Sequence, residues 1–184
     1  MTLIERRLFT VVDYHKMAEA GVFHPEERIE LLGGEIRPMS PVGGKHIRVV
    51  ANLTKVLVQQ LAGTYDILVQ CPILLSDESE PEPDVAIIRQ FQKGDVPDVP
   101  PAIDVFLVIE VSDTTLAYDR DTKIHFYAQA GIPEAWIIEV NKSAISQYLD
   151  PQEGFYTRYT TWRSGDMIPG HLGVEIAVDD VVLL

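Results

Sequence analysis

At 184 residues, with 46% hydrophobic and 23% charged side chains, the chain has the size and balance of one globular domain spanning 1–184. No apolar run nears the about 18 residues that a membrane helix requires, so no membrane partner is expected. Its 28 acidic and 15 basic residues give a net charge of −13, which repels a polyphosphate over most of the surface but leaves room for a local basic or metal-loaded cleft. A lone Cys71 excludes an internal disulfide or a thiolate metal cluster, and MTLIERRLFT lacks the apolar stretch of a secretory signal. Both point to the cytoplasm.

Thr10 followed by Asp13 predicts a capped short helix over VVDYHKMAEA that stops at Gly21. The segment 28-RIELLGGEIRPMS-40 reads as a hairpin about Gly33-Gly34, a dipeptide that supplies the positive φ such a turn needs. From Lys45 to Leu61, Ile47, Val50, Leu53, Leu57 and Leu61 recur at helical spacing, and Gly63 ends the pattern. Three strands follow at 66–75, 84–90 and 104–111, with a Pro-rich loop over 91–102. Asp113 or Thr114 caps a helix running to about Ala130, and Gly131 and Pro133 close it before a strand at 134–140. Alternating β-branched and aromatic residues predict antiparallel strands at 143–150, 154–162 and 173–183. The sum is an α/β fold with a mixed sheet.

Glu110 stands out because both faces of 104-DVFLVIEV-111 are otherwise apolar, with Phe106, Val108 and Glu110 on one and Val105, Leu107, Ile109 and Val111 on the other. A carboxylate in a covered strand needs a cation or several donors. Asp84 opens the preceding strand and faces Glu110 if the pair is antiparallel, and Mg²⁺ or Mn²⁺ would relieve the repulsion between them. Lys123 shares a helix face with Asp119 and Tyr127 and reaches back over the strand end. The residues alone support two readings: a metal site, or a Glu110–Lys123 salt bridge with Asp84 as a strand-end cap. His46, at the start of a helix, reads as a capping or packing residue, Trp136, Tyr127 and Phe126 as core, and Cys71 as a buried thiol.

The segments 29-IELLGGEIRPMSP-41, 46-HIRVVANLTKVL-57, 83-PDVAII-88 and 108-VIEVSDTTLAYDRDTKIHFYAQAGIPEAWIIEV-140 resemble the Uma-two family, which is grouped with the restriction-endonuclease-like PD-(D/E)xK proteins. That resemblance implies a core of helix, three strands, helix and strand, and a Mg²⁺- or Mn²⁺-dependent endonuclease acting on DNA. Pro83-Asp84 takes the PD position and Glu110 the (D/E) position. Ser112 stands where the motif has lysine, and the family pattern moves that lysine to Lys123. The same pattern makes the Val111 carbonyl a further metal ligand, and Glu30, in the family-like IELLGGEI hairpin, reads either as an additional acid of the site or as a surface strand glutamate. A homodimer follows by analogy of fold, and the competing expectation is a non-catalytic binding or regulatory protein on the same fold. The basic residues Arg37, Lys45, Arg48, Lys55, Arg89 and Arg120 flank the expected site in sequence.

Overall fold

The computed structural model describes residues 6–92, 94–170 and 172–182. The first five residues of MTLIERRLFT, and the far end of the strand expected at 173–183, lie outside them. Thr10 caps α1 (Val11–Glu19): its hydroxyl accepts from Asp13 N at 3.1 Å while its own N–H donates to the Asp13 carboxylate at 3.2 Å. The hairpin β1 (Ile29–Leu32) and β2 (Glu35–Pro38) turns at Gly33 and Gly34, with φ of 59° and 73°. Gly33 is doubly constrained, because a Cβ there would sit 2.7 Å from the Phe126 ring.

α2 (Gly44–Leu61) lays Val49, Val50, Leu53, Leu57 and Leu61 against the sheet. Ile47, expected on this stripe, is 58% exposed, because the buried arc passes through the adjacent pair Val49 and Val50 instead. The central sheet places its six strands in chain order: β3 (Tyr65–Val69), β4 (Val85–Arg89), β5 (Val105–Ser112), β6 (Glu134–Glu139), β7 (Ala144–Gln152) and β8 (Phe155–Arg163). Neighbours are antiparallel except β5 and β6, which run parallel because a helical crossover joins them. The order α2, β3, β4, β5, helix, β6 is the one that the resemblance implies.

Several boundaries differ from expectation. β3 ends at Val69 rather than Leu75, since Gln70 takes φ of 51° and Pro72 lacks an N–H for the ladder. Val105 lies in the cluster with Val108 rather than opposite it, because a register shift between Ile87 and Ile88 pairs Ile88 with Val105. The crossover helix starts later than predicted and is not uniform: α3 (Leu116–Tyr118) passes into a π-helical stretch, Asp119–Lys123, and then α4 (Ile124–Gln129). After β9 (Met167–Pro169) and its partner β10 (Glu175–Ala177), the chain turns into α5 (Val178–Val182) instead of continuing as a strand. Val178, Val181 and Val182 fall at i, i+3 and i+4, a helical stripe that buries in the core containing α2.

Two apolar clusters cover the sheet. One joins α2 and α5 to Val85, Ile87, Leu107, Ile109 and Trp136. The other joins α4 to Ala86, Ile88, Val108 and Ile137. No described helix is long and apolar enough to cross a membrane.

Candidate active site

In the antiparallel pair β4–β5, Val85 lies opposite Ile109, so the residues one step further, Asp84 and Glu110, meet at adjacent strand ends. Asp84 Oδ2 accepts from Val111 N at 2.8 Å, which locks the two ends together. Strand alternation aims both carboxylates to the α4 side, the face of Ala86 and Val108.

Glu110 has its cation. Lys123 Nζ lies 2.8 Å from Glu110 Oε1 and 3.2 Å from Glu30 Oε2, with side-chain exposures of only 4%, 5% and 3% for the lysine, Glu110 and Glu30. Tyr127 donates its hydroxyl to Glu110 Oε1 at 2.5 Å. Glu30, carried in by β1, also accepts from the Tyr118 hydroxyl at 3.1 Å and from Glu82 N at 3.2 Å. It is a buried member of the cluster and not a surface strand residue. Ser112, in the motif's lysine position, donates to Asp119 Oδ2 at 2.5 Å, and Thr115 donates to the same oxygen at 2.6 Å.

Asp119 and Lys123 bound the π-helical stretch, which tightens neither as an α-helix nor as a 3₁₀-helix would and is a feature often found at functional sites. With Tyr127 they present one side to the strand end, as their spacing predicts. The roles of Tyr118, Tyr127 and Asp119 as direct hydrogen-bond partners were not legible from spacing alone, because each depends on which group the fold sets opposite.

Glu30, Asp84, Glu110, Asp119 and Lys123 line the floor of a cleft of about 510 Å³. Its walls come from the hairpin, the 38–43 loop, the start of α2 and residues 113–115. His46, in the first turn of α2, places Nε2 2.9 Å from Asp84 Oδ1, so it contacts the candidate site rather than serving only as a cap. Its Nδ1 is buried with no hydrogen-bond partner among the described residues. Six carboxylates line the cleft (Glu30, Glu82, Asp84, Glu110, Asp113 and Asp119) against Arg28, Arg37 and Lys123. Arg28 and Arg37 are engaged by Glu82 and Glu35 at 2.6 and 2.5 Å.

Burial, more than that imbalance, shifts the protonation of Glu110 and Asp119. Burial pushes the Glu110 carboxyl well above the usual range, Lys123 opposes the shift, and Asp119 and Asp84 add to it. For Lys123, burial acts to lower the ammonium, but Glu110 and Glu30 outweigh it and hold the group charged. Asp119 is raised by burial against the pull of its Ser112 and Thr115 hydrogen bonds.

Among the described residues no three His, Cys, Asp or Glu side chains converge into a complete metal cage. What the floor offers is hard oxygen: Asp84, Glu110 and the backbone of Val111, which also lines the cleft. Mg²⁺ is bound by one or two carboxylates while keeping several waters, so this donor set fits it, whereas soft thiolate chemistry has no place here. The carboxylate excess fits a divalent cation for the same reason.

Of the basic residues flanking the site in sequence, Arg37, Arg89 and Arg120 lie on different parts of the fold, while Lys45, Arg48 and Lys55 are exposed on α2. Arg37 lines the cleft, Arg89 sits at the far end of β4 bound to Asp104 at 2.8 Å, and Arg120 pairs with Asp121 at 2.7 Å on the other side of the crossover helix. Lys45 reaches Asn141 at 3.4 Å. Cys71 is half-buried rather than buried, and Trp136 is fully buried in the core as expected.

The sequence model of the Uma2 family, described as "Putative restriction endonuclease", matches residues 11–179. No curated protein matches the chain. Among solved structures, a crystal structure from Anabaena variabilis described as a "putative nuclease belonging to DUF820" superposes with a TM-score of 0.73. The match covers 95% of this chain and 98% of that one at 14% identity, a likeness of fold.

Proposed function

This chain belongs to the Uma2 family, and from that membership and the cleft's geometry we propose that it is a metal-dependent endonuclease hydrolysing phosphodiester bonds in DNA. The observation that carries the proposal is the meeting of the Asp84 and Glu110 carboxylates at adjacent strand ends in one cleft, with the Lys123 ammonium beside them. Asp84, Glu110 and the Val111 carbonyl would hold Mg²⁺ or Mn²⁺. When bound, such an ion lowers the pKa of a coordinated water and polarises a phosphoryl oxygen.

The chain's own residues set the rest. Tyr127 fixes the orientation of Glu110, and His46 and the Val111 N–H fix that of Asp84. Lys123 projects a charged donor at the floor, where negative charge develops on a phosphate in the transition state. Glu30 steadies that ammonium from the opposite side.

The test is a plasmid-nicking assay with Mg²⁺ or Mn²⁺. Wild type cuts, and Asp84→Ala, Glu110→Ala and Lys123→Ala lose cleavage while circular dichroism stays native. A folded wild type that cuts no DNA or RNA under either ion would sink the proposal. Two copies related by a two-fold axis would each meet one strand of a duplex, and sedimentation equilibrium at twice the 20.6 kDa chain mass tests that arrangement.

One observation favours a second reading, a non-catalytic binding or regulatory protein on the same fold. Glu30, Lys123 and Glu110 already neutralise one another in part without any ligand. Calorimetric titration with Mn²⁺ separates the two: heat of binding that disappears in Glu110→Ala supports the nuclease, and no heat at millimolar Mn²⁺ supports the alternative.

A further inference from the structure

A second hollow, of about 260 Å³, opens on the same sheet face as Glu110 but on the other side of the crossover helix. The register across the sheet runs Glu110 to Ile137, Ile137 to Ser146 and Ser146 to Thr161, so the hollow's wall continues the row that begins at the cleft floor. One turn of chain stands between the two depressions, since Thr115 lines the cleft and Leu116 lines the hollow. Three strand spacings separate Glu110 from β8, about 14 Å, or about four nucleotides of B-form rise.

Its chemistry differs from that of the cleft. Arg120, Lys142 and Arg163 line it, with Glu139 as the acid among its lining residues. Glu139 holds Lys142 at 2.7 Å, and Asp121 holds Arg120 from outside. In a chain of net charge −13, this hollow collects cations where the cleft collects carboxylates. Its floor carries hydroxyls, which suit phosphate oxygens.

Tyr159 stands at the rim, 59% exposed. Its hydroxyl accepts from Thr161 at 2.8 Å and lies 3.3 Å from the Ser146 hydroxyl, and its ring leans on Tyr148 at 5.0 Å between centroids. The ring is held in place by those contacts while much of it remains open to solvent. A fixed, exposed aromatic ring beside cations is the arrangement on which single-stranded bases stack.

We propose that this hollow is a nucleotide subsite: Arg120, Lys142 and Arg163 receive a phosphate about four nucleotides along the strand from the scissile one, and Tyr159 stacks its unpaired base. The inference rests on the nuclease reading for its place along the strand. It assigns the preference to a single strand or an opened end, because a paired base has no free face to offer Tyr159.

The test measures fluorescence anisotropy of a labelled 12-mer oligothymidylate and of a matched duplex in EDTA, beside cleavage of the same oligonucleotide with Mn²⁺. Tyr159→Ala should weaken single-strand binding about 5- to 150-fold and duplex binding less. Arg163→Ala, on an exposed side chain, should reduce the slope of log K against log salt concentration by about 0.7. If wild type cleaves while both variants bind and cleave like it, the subsite is overturned and the nuclease reading stands. Binding in EDTA with the expected variant effects, but no cleavage, overturns the nuclease reading and keeps the subsite. Wild type that does not bind the oligonucleotide, or variants that weaken duplex binding equally, overturns the subsite.

Discussion

Lys123 is the residue on which two buried carboxylates depend. Replacing it with methionine keeps much of the side chain's bulk but leaves Glu110 and Glu30 facing each other without a cation. Breaking a buried ion pair from one side costs about 3–5 kcal/mol, so Lys123→Met should lower the free energy of unfolding by that amount in a urea titration. Glu110 contributes to the pH response, and Asp119, also raised by burial, acts in the same direction. The unfolded Glu110 carboxyl loses its proton near the ordinary carboxylate pKa, whereas the folded one, raised mainly by burial, keeps it to higher pH. Between those two values the folded state binds more protons, so stability falls as pH rises through that window. Melting temperatures of the metal-free protein should show this decline, and Glu110→Gln should flatten it. An equal slope in the variant would mean that another group is responsible.

Among the elements, the hairpin matters for the site beyond its size, because β1 delivers Glu30 to Lys123. Gly33→Ala would strain a backbone at φ of 59° and drive a Cβ into the Phe126 ring at 2.7 Å. A loss of about 1–3 kcal/mol is expected from the combined strain and overpacking, measured by chemical denaturation. The same hairpin shows what could be read in advance. Its Gly-Gly turn, the stripe of α2 and the alternation of β5 are local patterns, and they were legible in the amino acids. The acids Asp84 and Glu110 were legible too, because a carboxylate is conspicuous in a covered strand. The π-helical stretch, the flip of Val105 and the Asp84–His46 contact were not, since each arises from pairing or packing between distant segments. α5 was misread because five β-branched and acidic residues resemble a strand until α2 supplies the surface that favours a helical stripe.

At the scale of the whole molecule, the central sheet lays its strands side by side in the order in which the chain presents them. Each strand therefore finds its neighbour at short sequence separation, and among these connections only the β5–β6 crossover spans an α-helix. The hairpin that carries Glu30 is the exception. It joins through Leu31 and Glu80, and Glu82 N reaches Glu30 across 52 residues of chain. Local pairings close with little loss of entropy, and distant ones wait. The sheet should assemble first, with the hairpin docking afterwards and releasing first under stress. Pulse-labelling hydrogen exchange should find the amides of β4 to β7 protected before those of β1 and β2. In the native state the hairpin should open at a lower free energy than the sheet. The order of assembly would then leave Lys123 and Glu110 joined before Glu30 arrives, so the ion cluster is completed by the last piece of the chain to find its place.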